Sequence, residues 1–286
     1  MLLIGAHIPR EKNLLEMMKN IIKADGNSLQ IFISNPRSIQ IGEYNKKFLG
    51  DSEDIRTFII KNNFRLVIHS PYTINLASKL NINKRLINLE DCYWIKIILK
   101  ELEIAHLLGA VGCVVHTGKS TKLPIKEGLI NMRICIEYIL NEIIKNNWSS
   151  KLILETASGQ GTELLSNYQD FLNFYNDFED KYKEVFKICI DTCHIWAKGY
   201  ELNEIIDITI KNNNINDIAI IHINNSKNPK GSHLDRHEII NQGFINTKDI
   251  YNFIKGFNDI NNNIIMILET PTLNYKYEFY QIKKHL

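Results

Sequence analysis

Histidines and carboxylates recur at one kind of place in this chain, where a short apolar run gives way to polar residues. In chain order these ends carry His7, His69, His116, Glu155, Asp191, His222 and Glu269, with Asn35 and then Arg37 past the second run. Two motifs extend the set. Asp191-x-x-His194 places an imidazole just beyond a carboxylate, and Asp235-x-His237 sends two side chains to the same side of an extended segment. Imidazoles and carboxylates without paired thiols are the donor set of zinc and manganese hydrolytic sites. One ion takes about three or four protein ligands, so His69, His116, Glu155, Asp191, His194, His222, Asp235, His237 and Glu269 suffice for two or three ions with a shared carboxylate.

Taken alone, the stretch ICIDTCHIWAKGY (188–200) leaves three readings open: a Cys/His zinc site, a Cys–His nucleophile, or an Asp/His pair beside an idle sulfur. Cys92, Cys113, Cys135, Cys189 and Cys193 are odd in number and lack paired C-x-x-C spacing. A reducing, intracellular setting fits them better than a disulfide framework. A formal charge of +2 does not by itself call for a polyanionic partner, so any nucleic-acid argument rests on local chemistry. No apolar run reaches the roughly 18–20 residues that span a bilayer. The N-terminal MLLIGAHIPREK lacks the basic region and cleavage site of a signal peptide.

Something must hold these side chains together. Eight β-branched runs bounded by turn residues cover 2–7, 29–34, 66–70, 113–117, 152–156, 186–191, 218–224 and 264–270. Segments with helical apolar spacing lie between them, such as Leu14/Met17/Met18/Ile21/Ile22. Near-continuous apolar strands alternating with helices predict a parallel sheet covered by helices. Eight such units in 286 residues, with no Gly/Ser/Pro-rich linker, predict a single-domain α/β chain, a (β/α)8 TIM barrel over residues 1–286. An open doubly wound sheet is the rival, but its Gly-x-Gly-x-x-Gly fingerprint is missing. In a barrel every strand end named above opens on one face, where active sites are built.

With these motifs in order, the sequence resembles the endonuclease IV family, zinc-dependent apurinic/apyrimidinic (AP) endonucleases of base-excision repair. The resemblance is carried by NPR (35–37), HSPY (69–72), HTG (116–118), LETASGQG (154–161), CIDTCHIWAKGY (189–200), HINNSK (222–227), DRH (235–237) and LET (268–270). It implies a (β/α)8 barrel with three zinc ions, manganese able to take one of the sites. The first would be held by His69, His116 and Glu155. Glu155 would bridge to a second held by Asp191, His222 and Glu269, and His194, Asp235 and His237 would hold the third. Glu155 and Glu269 become the catalytic carboxylates, Glu269 also orienting or deprotonating the attacking water. Arg37 and Tyr72 would enter the duplex at the damaged step, and Gln160 would contact the DNA backbone or a water in the site.

The implied reaction is hydrolysis of the phosphodiester 5′ to an abasic site in double-stranded DNA. It leaves a 3′-hydroxyl and a 5′-deoxyribose phosphate, with trimming of blocked 3′ ends. A monomer without membrane association is expected, in the cytoplasm, nucleoid, nucleus or another DNA-containing compartment. Lys119, Lys198 and Lys227 are placed to meet phosphates or to be merely solvated, and His7 is expected to touch a ligand at most. The chain departs from the family at Thr117 and Ser158, at Glu238 after DRH, and in the loop NQGFIN (241–246). Two other readings stand beside this one: a sugar isomerase or epimerase on a related barrel, and a non-catalytic DNA-binding or scaffold protein.

Overall fold

Alternate residues of the eight apolar runs point to opposite faces of one closed sheet. The structure is a computed structural model that describes residues 2–11, 13–39, 49–82, 85–272 and 274–286. Its barrel strands are β1 (Leu3–His7), β2 (Ser28–Phe32), β3 (Arg65–His69), β4 (Gly112–His116), β5 (Lys151–Glu155), β6 (Phe186–Asp191), β7 (Ile218–Ile223) and β8 (Ile265–Leu268). Each pairs in parallel with its neighbours in chain order, and β8 pairs with β1 to close the barrel. The expected (β/α)8 architecture is therefore observed, with strand limits displaced by a residue or two.

The described helices are α1 (Leu14–Lys23), α2 (Ser52–Lys61), α3 (Tyr93–Leu108), α4 (Ile125–Lys145), α5 (Tyr168–Asn176), α6 (Thr192–Lys198), α7 (Leu202–Lys211), α8 (Thr247–Ile260) and α9 (Tyr275–His285). Short polar side chains start several of them. Asn13, Asp51, Asn167 and Asn246 each accept a hydrogen bond from a backbone N–H in the first turn, satisfying a donor the helix cannot. No described helix is long and apolar enough to cross a membrane. All five cysteines are free and buried, as their spacing implies.

Two apolar layers result from the strand alternation. Ile4, Leu66, Ile68, Leu152, Leu154, Ile188 and Ile190 face outward and join the layer under the helices. Leu3, Val67, Val114, Ile153, Cys189, Ile220, Ile265 and Ile267 face inward and plug the barrel. Burying each such aliphatic side chain contributes about 1.5–3 kcal/mol, so this plug is a firm floor. Two residues further along each strand, the same inward face brings His69 after Val67 and His116 after Val114. Likewise Glu155 follows Ile153, Asp191 follows Cys189, His222 follows Ile220 and Glu269 follows Ile267. The candidate site is thus the top layer of the barrel interior.

Gly5 is required at the seam of this layer. A Cβ there would sit 1.7 Å from the Ser28 carbonyl oxygen, so only glycine lets β1 and β2 approach closely enough to pair His7 with Gln30.

Candidate metal centre

Glu155, at the tip of β5, is the hub of the polar layer. Its Oε2 lies 3.3 Å from His69 Nε2 and 3.6 Å from His116 Nδ1, while its Oε1 lies 2.9 Å from His222 Nδ1. The same His222 nitrogen is 3.8 Å from Asp191 Oδ2 and 3.6 Å from Glu269 Oε2. Alongside, Asp235 Oδ2 is 3.2 Å from His194 Nε2 and its Oδ1 is 3.0 Å from His237 Nε2. All nine residues singled out in the sequence therefore meet, in three groups: His69/His116/Glu155, Glu155/Asp191/His222/Glu269 and His194/Asp235/His237.

Neutral carbonyl groups behind the imidazoles decide which nitrogen faces inward. A carbonyl can only accept, so the ring nitrogen beside it must carry the proton. His69 Nδ1 donates to the Ser70 carbonyl at 2.8 Å, His194 Nδ1 to that of Thr156 at 2.7 Å, and His237 Nδ1 to that of Glu269 at 2.9 Å. His222 Nε2 donates to Gln30 Oε1 at 3.0 Å. In each case the second nitrogen is the one turned to carboxylates, the arrangement that readies a histidine for a cation.

The carboxylates are framed in the same way. Asp191 Oδ1 accepts from the His194 N–H at 2.9 Å and Oδ2 from Asn224 Nδ2 at 2.8 Å. Glu269 Oε1 accepts from Gln30 Nε2 at 2.6 Å and lies 2.7 Å from His7 Nδ1, leaving Oε2 for the pocket. His7 touches a ligand candidate, as expected. Gln30 and Asn224 were not foreseen. For Gln30 the available signal was a lone inward-facing amide in the apolar run LQIFIS; for Asn224 there was only its place within the motif HINNSK.

Electrostatics follow from crowding these groups away from water. Burial opposes charge on Glu155, but His116 and His222 hold its carboxyl well below the usual range. Glu269 and Asp235 are likewise held low against burial, by His222 and His7 and by His194 and His237 respectively. Burial also lowers the histidines, yet Asp191 and Asp235 lift His194, and Cys189 with Glu269 and Glu155 lifts His222, well above the ordinary value, while Asp191 and Asp235 raise His237 to about 9. His116 differs. Burial outweighs Glu155 and holds it below the ordinary value, and its Nε2 is buried with no hydrogen-bond partner among the described residues.

This donor set fits divalent metal ions. An unpartnered buried nitrogen costs about 1–3 kcal/mol unless something satisfies it. Tetrahedral coordination at about 2.0–2.1 Å places donors about 3.3 Å apart, and the nitrogen–oxygen separations quoted within the groups run from 2.9 to 3.8 Å. Cys189 and Cys193 also lie near these groups. Both thiols are fully buried and pushed up by that burial to about 12, so neither is a ready nucleophile.

The cluster floors a pocket of about 220 Å³ that also includes Tyr72 and Arg236. Beside it lies a groove of about 640 Å³ sharing Tyr72, His237 and Glu269 and lined further by Phe32, Asn35 and Pro36. Tyr72 is 58% exposed, its ring 5.2 Å from Phe32, 5.9 Å from His69 and 5.8 Å from His116. Arg37 is exposed on the loop after β2, where its N–H donates to Asn35 Oδ1. Gln160 has a partner within the protein: its Oε1 accepts from the Asp235 N–H and from Arg236 Nη1, both at 3.2 Å. Lys119 and Lys227 are ion-paired with Glu163 and Glu238, and Lys198 is half-buried at the end of α6.

The departing residues have local work. Ser158 donates to Glu163 at 3.1 Å and accepts from the Gln160 N–H, fastening the loop after β5. Asn225 staples the 240–245 segment by donating to the carbonyls of Ile240 and Ile245 and accepting from the Ile245 N–H. Gly243 packs against it so tightly that a Cβ would meet Asn225 Oδ1 at 2.2 Å.

Fold and site together define a (β/α)8 barrel with candidate metal-binding groups, and residues 20–279 match the family model described as a xylose isomerase-like TIM barrel. A probable endonuclease 4 from Clostridium botulinum (strain Alaska E43 / Type E3) is 32% identical over 265 residues, covering 89% of this chain and 88% of that protein. Endonuclease IV from Thermus thermophilus superposes with a TM-score of 0.77 at 19% identity, over 99% of this chain and 98% of that one. A D-tagatose 3-epimerase-like protein reaches 0.69 at 18% identity, over 99% and 96%. Likeness at such identities speaks for the fold alone. The chain belongs to the endonuclease IV family.

Proposed function

We propose that this single-domain chain is a metal-dependent AP endonuclease that hydrolyses the phosphodiester 5′ to an abasic site in double-stranded DNA. Water adds to phosphorus and the bond to the 3′ oxygen breaks, giving a 3′-hydroxyl and a 5′-deoxyribose phosphate. The same chemistry trims blocked 3′ ends. The observation that carries the reading is Glu155 turning one oxygen to His69 and the other to His222, with the His194/Asp235/His237 group beside them. On this reading three zinc ions, one replaceable by manganese, would be held by His69/His116/Glu155, Glu155/Asp191/His222/Glu269 and His194/Asp235/His237. Bound ions of this kind supply positive charge to the phosphoryl and leaving oxygens and make water more acidic.

The side chains do the rest. Glu269, its Oε1 secured by His7 and Gln30, uses Oε2 to orient the attacking water and take its proton. Tyr72 stands at the pocket mouth, where it can occupy the space an absent base leaves, and Arg37 on the neighbouring loop enters the duplex beside it. Unstacking is cheapest at a damaged step, which favours abasic substrates. The protein acts as a monomer in a DNA-containing compartment.

A sugar isomerase or epimerase is the alternative, favoured only by the barrel likeness. One or two ions serve such chemistry, and it leaves the His194/Asp235/His237 group without a task. A duplex carrying one tetrahydrofuran abasic analogue tests the proposal. Incision 5′ to the analogue, abolished by EDTA and restored by zinc, supports it; no incision by metal-replete protein refutes it.

A further inference from the structure

Arg236 stands between two members of the third group, Asp235 and His237, and lines the 220 Å³ pocket with Glu155 and Glu269. Despite that company it forms no ion pair among the described residues. Its Nη1 donates to two neutral acceptors, Gln160 Oε1 at 3.2 Å and the Asp235 carbonyl at 2.5 Å. A guanidinium has five N–H donors, and those on Nε and Nη2 have no partner among the described residues. Lys119 and Lys227 on the same rim are instead paired with glutamates. Gln160 is itself well secured. Its N–H donates to Glu163 at 2.9 Å, and Glu163 also accepts from Ser158 and the Gly159 N–H.

We infer that Arg236, set in place by Gln160, is the anion-binding group at the mouth of the metal pocket and takes a non-bridging oxygen of the phosphodiester. A planar guanidinium with two unoccupied donor nitrogens, Nε and Nη2, suits a phosphoryl group better than a point charge does. Holding it by neutral acceptors keeps its charge uncompensated until the anion arrives. Gln160 is then a positioning residue for Arg236 and the Asp235 backbone, a role beyond the contact to the DNA backbone or a water expected from sequence. The identity of the anion rests on reading the pocket as a phosphodiester site.

The test uses full-length, metal-loaded protein, with bound metal counted in every variant and inorganic phosphate as the calorimetric probe. Arg236→Ala should weaken phosphate binding roughly ten- to a hundredfold, the loss of one charged hydrogen-bonded contact. Gln160→Glu is the sharper variant, because a carboxylate keeps the bond to Arg236 but neutralises it. It should also weaken phosphate binding, whereas a purely structural role for the pair predicts unchanged binding and unchanged or higher thermal stability. Phosphate affinity equal to wild type in both variants at equal metal content overturns the inference. If both variants lose phosphate but wild type does not incise abasic DNA, the nuclease reading fails and the anion site stands.

Discussion

Asp191 accepts a hydrogen bond from the backbone N–H of His194 at 2.9 Å. One carboxylate thus belongs to the second donor group and also caps α6, the helix that carries a member of the third. Separating the two roles gives a test. Asp191→Asn retains a good N-cap, whereas Asp191→Ala loses cap and ligand alike, with a further destabilisation of about 1 kcal/mol. Both should reduce bound metal, and only the alanine variant should add a loss of helix-cap stability, read by denaturant unfolding of the metal-free proteins. Full metal content in Asp191→Ala would contradict the assignment.

Gln30 joins His222 to Glu269 from beneath and is fully buried. Gln30→Leu removes both contacts without touching a proposed ligand. Outer partners of this kind are worth about 10–100-fold in metal affinity. A competitive titration against a zinc indicator should show that weakening at the second group; wild-type affinity would make Gln30 mere packing.

Glu269→Gln keeps the shape of the side chain and its bonding positions but removes the charge that takes a proton. Abasic-duplex binding should be largely preserved while incision falls by about 10²–10⁴-fold. Single-turnover incision at matched occupancy checks this. Activity near wild type would remove Glu269 from water activation.

Stability should respond to pH in opposite senses with and without metal. His237 is raised to about 9 in the fold, against about 6.5 unfolded. Its contribution is complete below about 6.5 and is lost as pH rises through about 9. Glu155, Glu269 and Asp235 are depressed, so theirs is present above their unfolded values, about 4, and lost as pH falls. Metal-free protein should be most stable between about pH 4.5 and 6.5 and soften towards pH 9. Zinc replaces the protons, so the rise in Tm it produces should grow over the same interval. Scanning fluorimetry with EDTA or zinc reads both trends, and a metal-free Tm that climbs from pH 6.5 to 9 would contradict the charge assignment.

How legible the site was depends on which residue is asked about. Ile153 and Glu155, or Ile220 and His222, show the period of two in plain sequence, and the switch from aliphatic to ligand marks a strand tip. His194 and Asp235 lie on no barrel strand, but their spacing to Asp191 and His237 made them visible. Gln30 was opaque because its partners, His222 and Glu269, are 192 and 239 residues away and reach it only when the barrel closes. The partners of Gln160 were opaque for a similar reason: its Oε1 accepts from the Asp235 N–H, seventy-five positions later in the chain. In ICIDTCHIWAKGY the sulfur of Cys193 drew attention, yet the flanking Asp191 and His194 carry the geometry while the thiol is sealed in packing.

Metal content of the purified, metal-replete chain tests the central claim most directly, because the proposed sharing of Glu155 beside a separate His194/Asp235/His237 group calls for three ions. Elemental analysis should find about three zinc equivalents per chain, or two with one manganese. A single tightly held ion per chain would contradict the account and favour a one-metal sugar-converting enzyme on the same barrel.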